Sequence, residues 1–138
     1  MGQRLGKEIW VAHQEDGDYD AVAAYRDVEG IHYTPIQLKE LVPEHLNPAA
    51  TLQSELTKLR KYRDSRDLAV AFMVNRLTRI VPAELDVTGI EVGEVWLYGA
   101  IDEDQVSWML LGDILQQAWG RSDFVVPRMP PVWSTSGQ

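Results

Sequence analysis

The sequence contains no cysteine. Disulfides, thiolate nucleophiles and cysteine-based zinc or iron–sulfur sites are therefore all excluded. Long apolar runs are missing as well: no window approaches the roughly 18 consecutive apolar residues of a membrane span. The opening residues, Met1 to Glu8, carry charge without the apolar stretch of a secretion signal. A soluble, cytoplasmic protein is expected. Histidine is scarce, at His13, His32 and His45, and none stands at a metal-ligand spacing such as H-E-x-x-H. No glycine-rich phosphate loop occurs, and no serine sits in a nucleophile-elbow context. No metal and no cofactor are therefore expected.

Positive charge is absent from one long stretch. Between Glu84 and Gly120 there are eight acids (Glu84, Asp86, Glu91, Glu94, Asp102, Glu103, Asp104 and Asp113) and no Lys or Arg. The preceding stretch, Lys58 to Arg79, has seven basic residues against Asp64 and Asp67, a local charge of +7 − 2 = +5 in a chain whose net charge is −8. The rest of the chain thus carries −13. Such blocks either steer a charged partner or neutralise one another.

What is present fits an ordinary globular chain. With 138 residues, 45% hydrophobic and 25% charged, it is long enough to bury a core without staples. One domain over 1–138 is expected, with 132–138 as a loose tail after the prolines at 127, 130 and 131.

The local patterns suggest an α+β fold: a small mixed or antiparallel sheet of about four strands, packed with an αα-hairpin and a C-terminal amphipathic helix. Residues 8–13 are apolar and β-prone, so they read as a core strand around Trp10. Residues 21–25 read as a short capped helix, with a second strand as the alternative, and Thr34-Pro35-Ile36-Gln37 as the start of another helix ending near Leu41. Asn47-Pro48 opens an amphipathic helix with Leu52, Leu56 and Leu59 on its stripe, and the continuous apolar run 68–77 completes the hairpin. Val87 to Tyr98 reads as a hairpin or two bent strands, and Phe124 to Val126 as an edge strand.

Residues 105–119 read as the last helix. At about 100° per residue, its apolar positions span roughly 220°, more than one sheet face needs. Asp16-x-Asp18-x-Asp20 imitates a calcium loop, but Ala21 replaces the required glycine and Asp27 the bidentate glutamate. A capped turn is the simpler expectation.

Three function classes follow. The leading one is a non-enzymatic interaction or accessory factor, inhibitor- or immunity-like, binding another protein or a second copy of itself through an acidic, tryptophan-bearing surface. Its candidate residues are Trp96, Trp108, Leu111, Leu115 and Trp119, because tryptophan is enriched in interface cores. The second is a nucleic-acid-binding regulator with a helix-turn-helix-like segment over 34–66. Its contacts would come from Lys58, Arg60, Lys61, Arg63 and Arg66. The third is an enzyme whose site is assembled from distant residues such as His13, Asp16, Asp18, Tyr25 and Tyr33.

Overall fold

Strands, not helices, form the frame of the protein. The computed structural model describes residues 6–13 and 17–127. Seven strands form one sheet in sequential order: β1 (Ile9–His13), β2 (Ala21–Asp27), β3 (Gly30–Leu41), β4 (Ser65–Val74), β5 (Val92–Ala100), β6 (Ser107–Gly112) and β7 (Gly120–Val125). The pairs β3–β4 and β4–β5 are parallel, and every other pair is antiparallel. The sheet curls into a half-barrel with, among the described residues, one α-helix, α1 (Leu52–Thr57), continued by a 3-10 turn, Lys58–Lys61. The expected α+β architecture of about four strands, an αα-hairpin and a C-terminal helix is therefore incorrect.

Each misread segment has a physical reason. The run Leu68-Ala69-Val70-Ala71-Phe72-Met73-Val74 is apolar throughout because β4 is a central strand between two parallel neighbours. The strand's second face, with Ala69, Ala71 and Met73, is apolar and at least part-buried although neither parallel connection crosses it, so the period-two alternation is lost. Leu68, Val70, Phe72 and Val74 join the main core, while Ala69 is buried on the opposite face. The broad apolar arc over 105–119 has the same origin. In β6, Met109 and Leu111 point into the core, and Trp108 and Leu110 lie on the other face. Residues 113–119 then loop back to β7. The acids Asp102-Glu103-Asp104 form the β5–β6 turn, where the Asp102 carboxylate accepts from Val106 N and Ser107 N, both at 3.0 Å. Burial works against the Asp102 charge, yet these backbone donors hold its pKa below the usual value.

Residues 21–25 and 34–41 are strand as well. Proline is tolerated within β3 because β4 pairing begins only at Ile36↔Ala69, so the side of Pro35 that lacks an N–H faces no neighbour there. Just ahead of β2, the Asp20 carboxylate takes over as acceptor for Leu38 N at 2.8 Å and Gln37 Nε2 at 2.7 Å. The β2–β3 turn closes with Asp27 Oδ1 accepting from Glu29 N, and Gly30 at φ +132° supplies a backbone angle that side chains disfavour. The region 87–98 holds one strand, β5, not a hairpin.

Both parallel connections cross the same face of the sheet. The first carries α1, whose N-cap Thr51 and N3 residue Ser54 form a reciprocal capping box. Its Leu52 and Leu56, with Leu59 of the 3-10 turn, pack on Val70, Phe72, Val95, Leu97, Met109 and Leu111. The second, residues 75–91, contributes Ile80, Leu85, Val87 and Ile90 to the rim of this core. The strand around Trp10 stands outside it: Trp10 is 51% exposed on edge strand β1, so its expected core position is incorrect. No described helix is long and apolar enough to cross a membrane.

Candidate functional site: an arginine-lined crevice

Ligands of open sheets with parallel strands gather outside the carboxyl ends of those strands, where no connection fills the space. Here β4 ends at Val74 and β5 at Ala100, and a crevice of about 550 Å³ opens beside them. Its apolar floor includes Val74, Gly99, Met109 and Leu111. The segment after β4 adds Ile80, and Trp119 closes the far side with 38% of its surface exposed. Gly99 is required where β5 meets β4, because a Cβ there would stand 2.6 Å from the Val74 carbonyl oxygen.

Three guanidinium groups line this crevice: Arg76, Arg79 and Arg121. Arg76 donates to the carbonyl oxygens of Val42 (2.8 Å from Nε, with a second bond from Nη2), Ala50 (3.1 Å) and Asn47 (3.2 Å). These partners are dipoles, not anions, so its charge is solvated but not cancelled. Arg79 makes no ion pair or hydrogen bond among the described residues. Arg121 pairs with Asp123 at 2.8 Å, with both side chains about half exposed. Among the described residues lining the crevice there is no Asp, Glu or His. In a chain of net charge −8, this is a positive, half-apolar recess. A smaller neighbouring recess of about 220 Å³ shares Val74, Arg76, Leu77 and Ala100 and contains Asp102, Glu103 and Trp108.

The residues singled out from sequence for protein binding divide between the two faces of the sheet. Leu111 is buried in the main core, Leu115 packs against it, and Trp119 lines the crevice. Trp96 and Trp108 lie on the opposite face. Trp96 is 6% exposed and covers Gly112, where a Cβ would approach its ring to 2.4 Å; its Nε1 donates to Glu94 at 2.7 Å. Trp108 stacks near Tyr98, with centroids 6.5 Å apart, and donates to Gln105 O. Burial, and secondarily the Glu40 charge, raise the Tyr98 pKa.

The basic residues proposed for nucleic acid are largely paired within the fold. Lys58 meets Glu55 at 2.7 Å, while Arg60 and Arg63 meet Asp86 and Glu91, each at 3.2 Å. Lys61 lies over the Tyr62 ring, and the Arg66 charge acts on Glu91. The helix-turn-helix expected over 34–66 is replaced by β3, α1 and the 3-10 turn. The two opposed charge blocks thus meet along the second connection.

Backbone donation from Asp64, then the Arg63 charge, lowers the Glu91 pKa; donation from Thr88 is the largest cause for Asp86, with Arg60 contributing. A lowered folded pKa gives stability that is present above the unfolded carboxyl value of about 4 and is lost as pH falls through the folded value. Urea midpoints are therefore expected to fall in acid below about pH 4, and Glu91→Gln should flatten part of that fall. An unchanged pH profile in the variant would show that Glu91 does not contribute.

The residues considered for an enzymatic site are not gathered. His13 and Tyr25 lie toward opposite ends of the β1–β2 ladder, opposite Ala21 and Ile9 respectively, and Tyr33 is on the other face from Tyr25. Asp18 is exposed, and Asp16 lies outside the described residues. Tyr25 instead stacks on His32 at 4.8 Å, under the Lys7 ammonium. His32, Asp27 and Glu29 offer ligand atoms within 4.8 Å of one another. Asp27 Oδ1, however, already accepts from His32 Nε2 and Glu29 N, the bonds that chiefly lower its pKa. No family model, no curated protein and no solved structure matches the chain.

Proposed function

We propose that the protein binds a small amphipathic anion, a medium-chain carboxylate being the simplest form, in the crevice at the carboxyl ends of β4 and β5. The observation that carries this reading is the lining: three arginines over an apolar floor, without an acid among the described lining residues, in a strongly acidic chain. The carboxylate would meet Arg79 and Arg121 within the field of the Arg76 charge, and the alkyl chain would lie along Ile80, Met109, Leu111 and Trp119. Arginine suits this task because its planar fork matches the two oxygens of a carboxylate. A binding role, with no bond made or broken, is the function that this lining supports.

Octanoate tests the reading. At about −0.5 kcal/mol for each of ten non-hydrogen atoms, its Kd should be roughly 0.2 mM by calorimetry. Trp119 at the wall should report binding as a change in fluorescence. Octanol should bind more weakly by about tenfold, and Arg79→Glu, which breaks no ion pair or hydrogen bond among the described residues, should weaken octanoate by a similar factor. Equal affinity for octanoate and octanol, or an unaffected Arg79→Glu variant, would count decisively against an anion site.

A further inference from the structure

The two edges of the sheet are unlike. Exposed edges invite pairing with another strand, and proteins normally guard them with charge, proline or a covering element. Edge strand β7 has Arg121 and Asp123 within it and Pro127 shortly after. Edge strand β1, Ile9-Trp10-Val11-Ala12-His13, has no Asp, Glu, Lys, Arg or Pro within it and no covering element among the described residues; its nearest charges are Lys7 and Glu8, ahead of the strand. Its apolar side chains are exposed on both faces of the sheet: Trp10 at 51% on one, Val11 at 66% on the other. Among the described residues nothing covers this strand on either face or along its backbone edge, which gives it the character of half an interface.

We infer that β1 is a dimerisation edge, pairing antiparallel with β1 of a second copy about a two-fold axis at Val11, so that two seven-stranded sheets join into one. Shape favours a second copy over a foreign strand, and charge leaves this edge open to it: a chain of −8 repels its own copies over most of its surface, whereas residues 9–13 contain no Asp or Glu. Within the protein, the cross-strand row runs Tyr33, Ala24, Trp10, alternating large and small. Pairing centred on Val11 sets Trp10 against Ala12 of the second copy, which continues the alternation, and by symmetry Ala12 against Trp10. On the other face Val11 meets Val11, and Ile9 meets His13. Aromatic and β-branched cross-strand pairs are among those that stabilise sheets. A two-fold arrangement also closes the assembly at two copies, since each β1 edge is consumed.

Such an edge-to-edge contact is small, so a Kd of about 10 μM is expected. Sedimentation equilibrium should give a mass approaching twice 15.6 kDa at about 100 μM and the monomer mass well below 1 μM. Val11→Lys and Val11→Glu each place like charges across the axis and should raise the Kd at least tenfold, while circular dichroism, unchanged from the parent protein, confirms that the exposed position tolerates them. Mixing the two variants should restore a heterodimer, because Lys then faces Glu. A wild-type protein that stays monomeric at about 100 μM, a dimer indifferent to both variants, or a mixture that does not associate would each overturn the inference. The outcome is independent of octanoate binding, since the crevice lies between β4 and β7, away from this edge.

Discussion

Phe72→Ala is expected to remove about 3–5 kcal/mol of folding stability, the cost of deleting a fully buried aromatic side chain and leaving a cavity. Phe72 is 1% exposed in the middle of β4, the fourth of seven strands, and belongs to the cluster in which α1 and the 3-10 turn meet the sheet. A domain of this size has a total stability of about 5–15 kcal/mol, so the variant should sit at the edge of unfolding at 37 °C. Urea denaturation measures the effect. Leu38→Ala, on the other face of neighbouring β3 and 48% exposed, is the matched control and should cost about 1 kcal/mol or less. If both variants lost about the same stability, the covered face would not be the principal core.

What could be read from the sequence depended on how many faces an element buries. The Leu52, Leu56 and Leu59 stripe is real because α1 and its 3-10 extension bury only one side. Their length was overread because the apolar run following them looks helical. In β4 and β6 one face is buried and the other is apolar and part-buried, with Ala71 and Met73 in β4 and Trp108 and Leu110 in β6, so strand periodicity vanishes from the sequence. The 220° arc assigned to 105–119 was itself a clue that no single-sided helix could satisfy the pattern. Edge strand β1 was legible because its β-branched and aromatic residues are bounded by turn-forming residues, whereas of β7 only Phe124 and Val125 read as strand.

The crevice was not legible in the same way. Arg79 and Arg121 bracket the long stretch without positive charge, and 41 residues separate them. Only the order β4, β5, β6, β7 brings both to one recess, because the chain leaving β4 and the start of β7 reach the same end of the sheet. No local motif encodes such a meeting. Conversely, the dense basic cluster at 58–66 drew attention through its composition, and the fold applies it to internal neutralisation by Asp86 and Glu91. Sequence showed where charge is concentrated, whereas topology left Arg79 without an ion pair among the described residues and set Arg121, paired with Asp123, in the same crevice.

Arg76 joins the fold to the crevice, and its replacement gives the second large expected effect. The guanidinium gathers the carbonyl oxygens of Val42, Asn47 and Ala50, three points of the connection that leads from β3 into α1. Arg76→Met keeps the aliphatic stem but leaves those acceptors without a donor, at a cost of about 2–3 kcal/mol. The melting temperature should drop by roughly 8–12 °C at about 4 °C per kcal/mol. Arg76→Lys separates geometry from charge. An ammonium cannot fork to three carbonyls in one plane, so the lysine variant should lose most of the same stability while the crevice stays cationic. Octanoate affinity should then follow charge, remaining within about threefold of wild type in the lysine variant and falling by about tenfold with methionine. If lysine restored full stability, Arg76 would act as a simple point charge and the carbonyl clamp would carry no weight. If octanoate bound the methionine variant as well as the parent, the anion would be held by Arg79 and Arg121 alone.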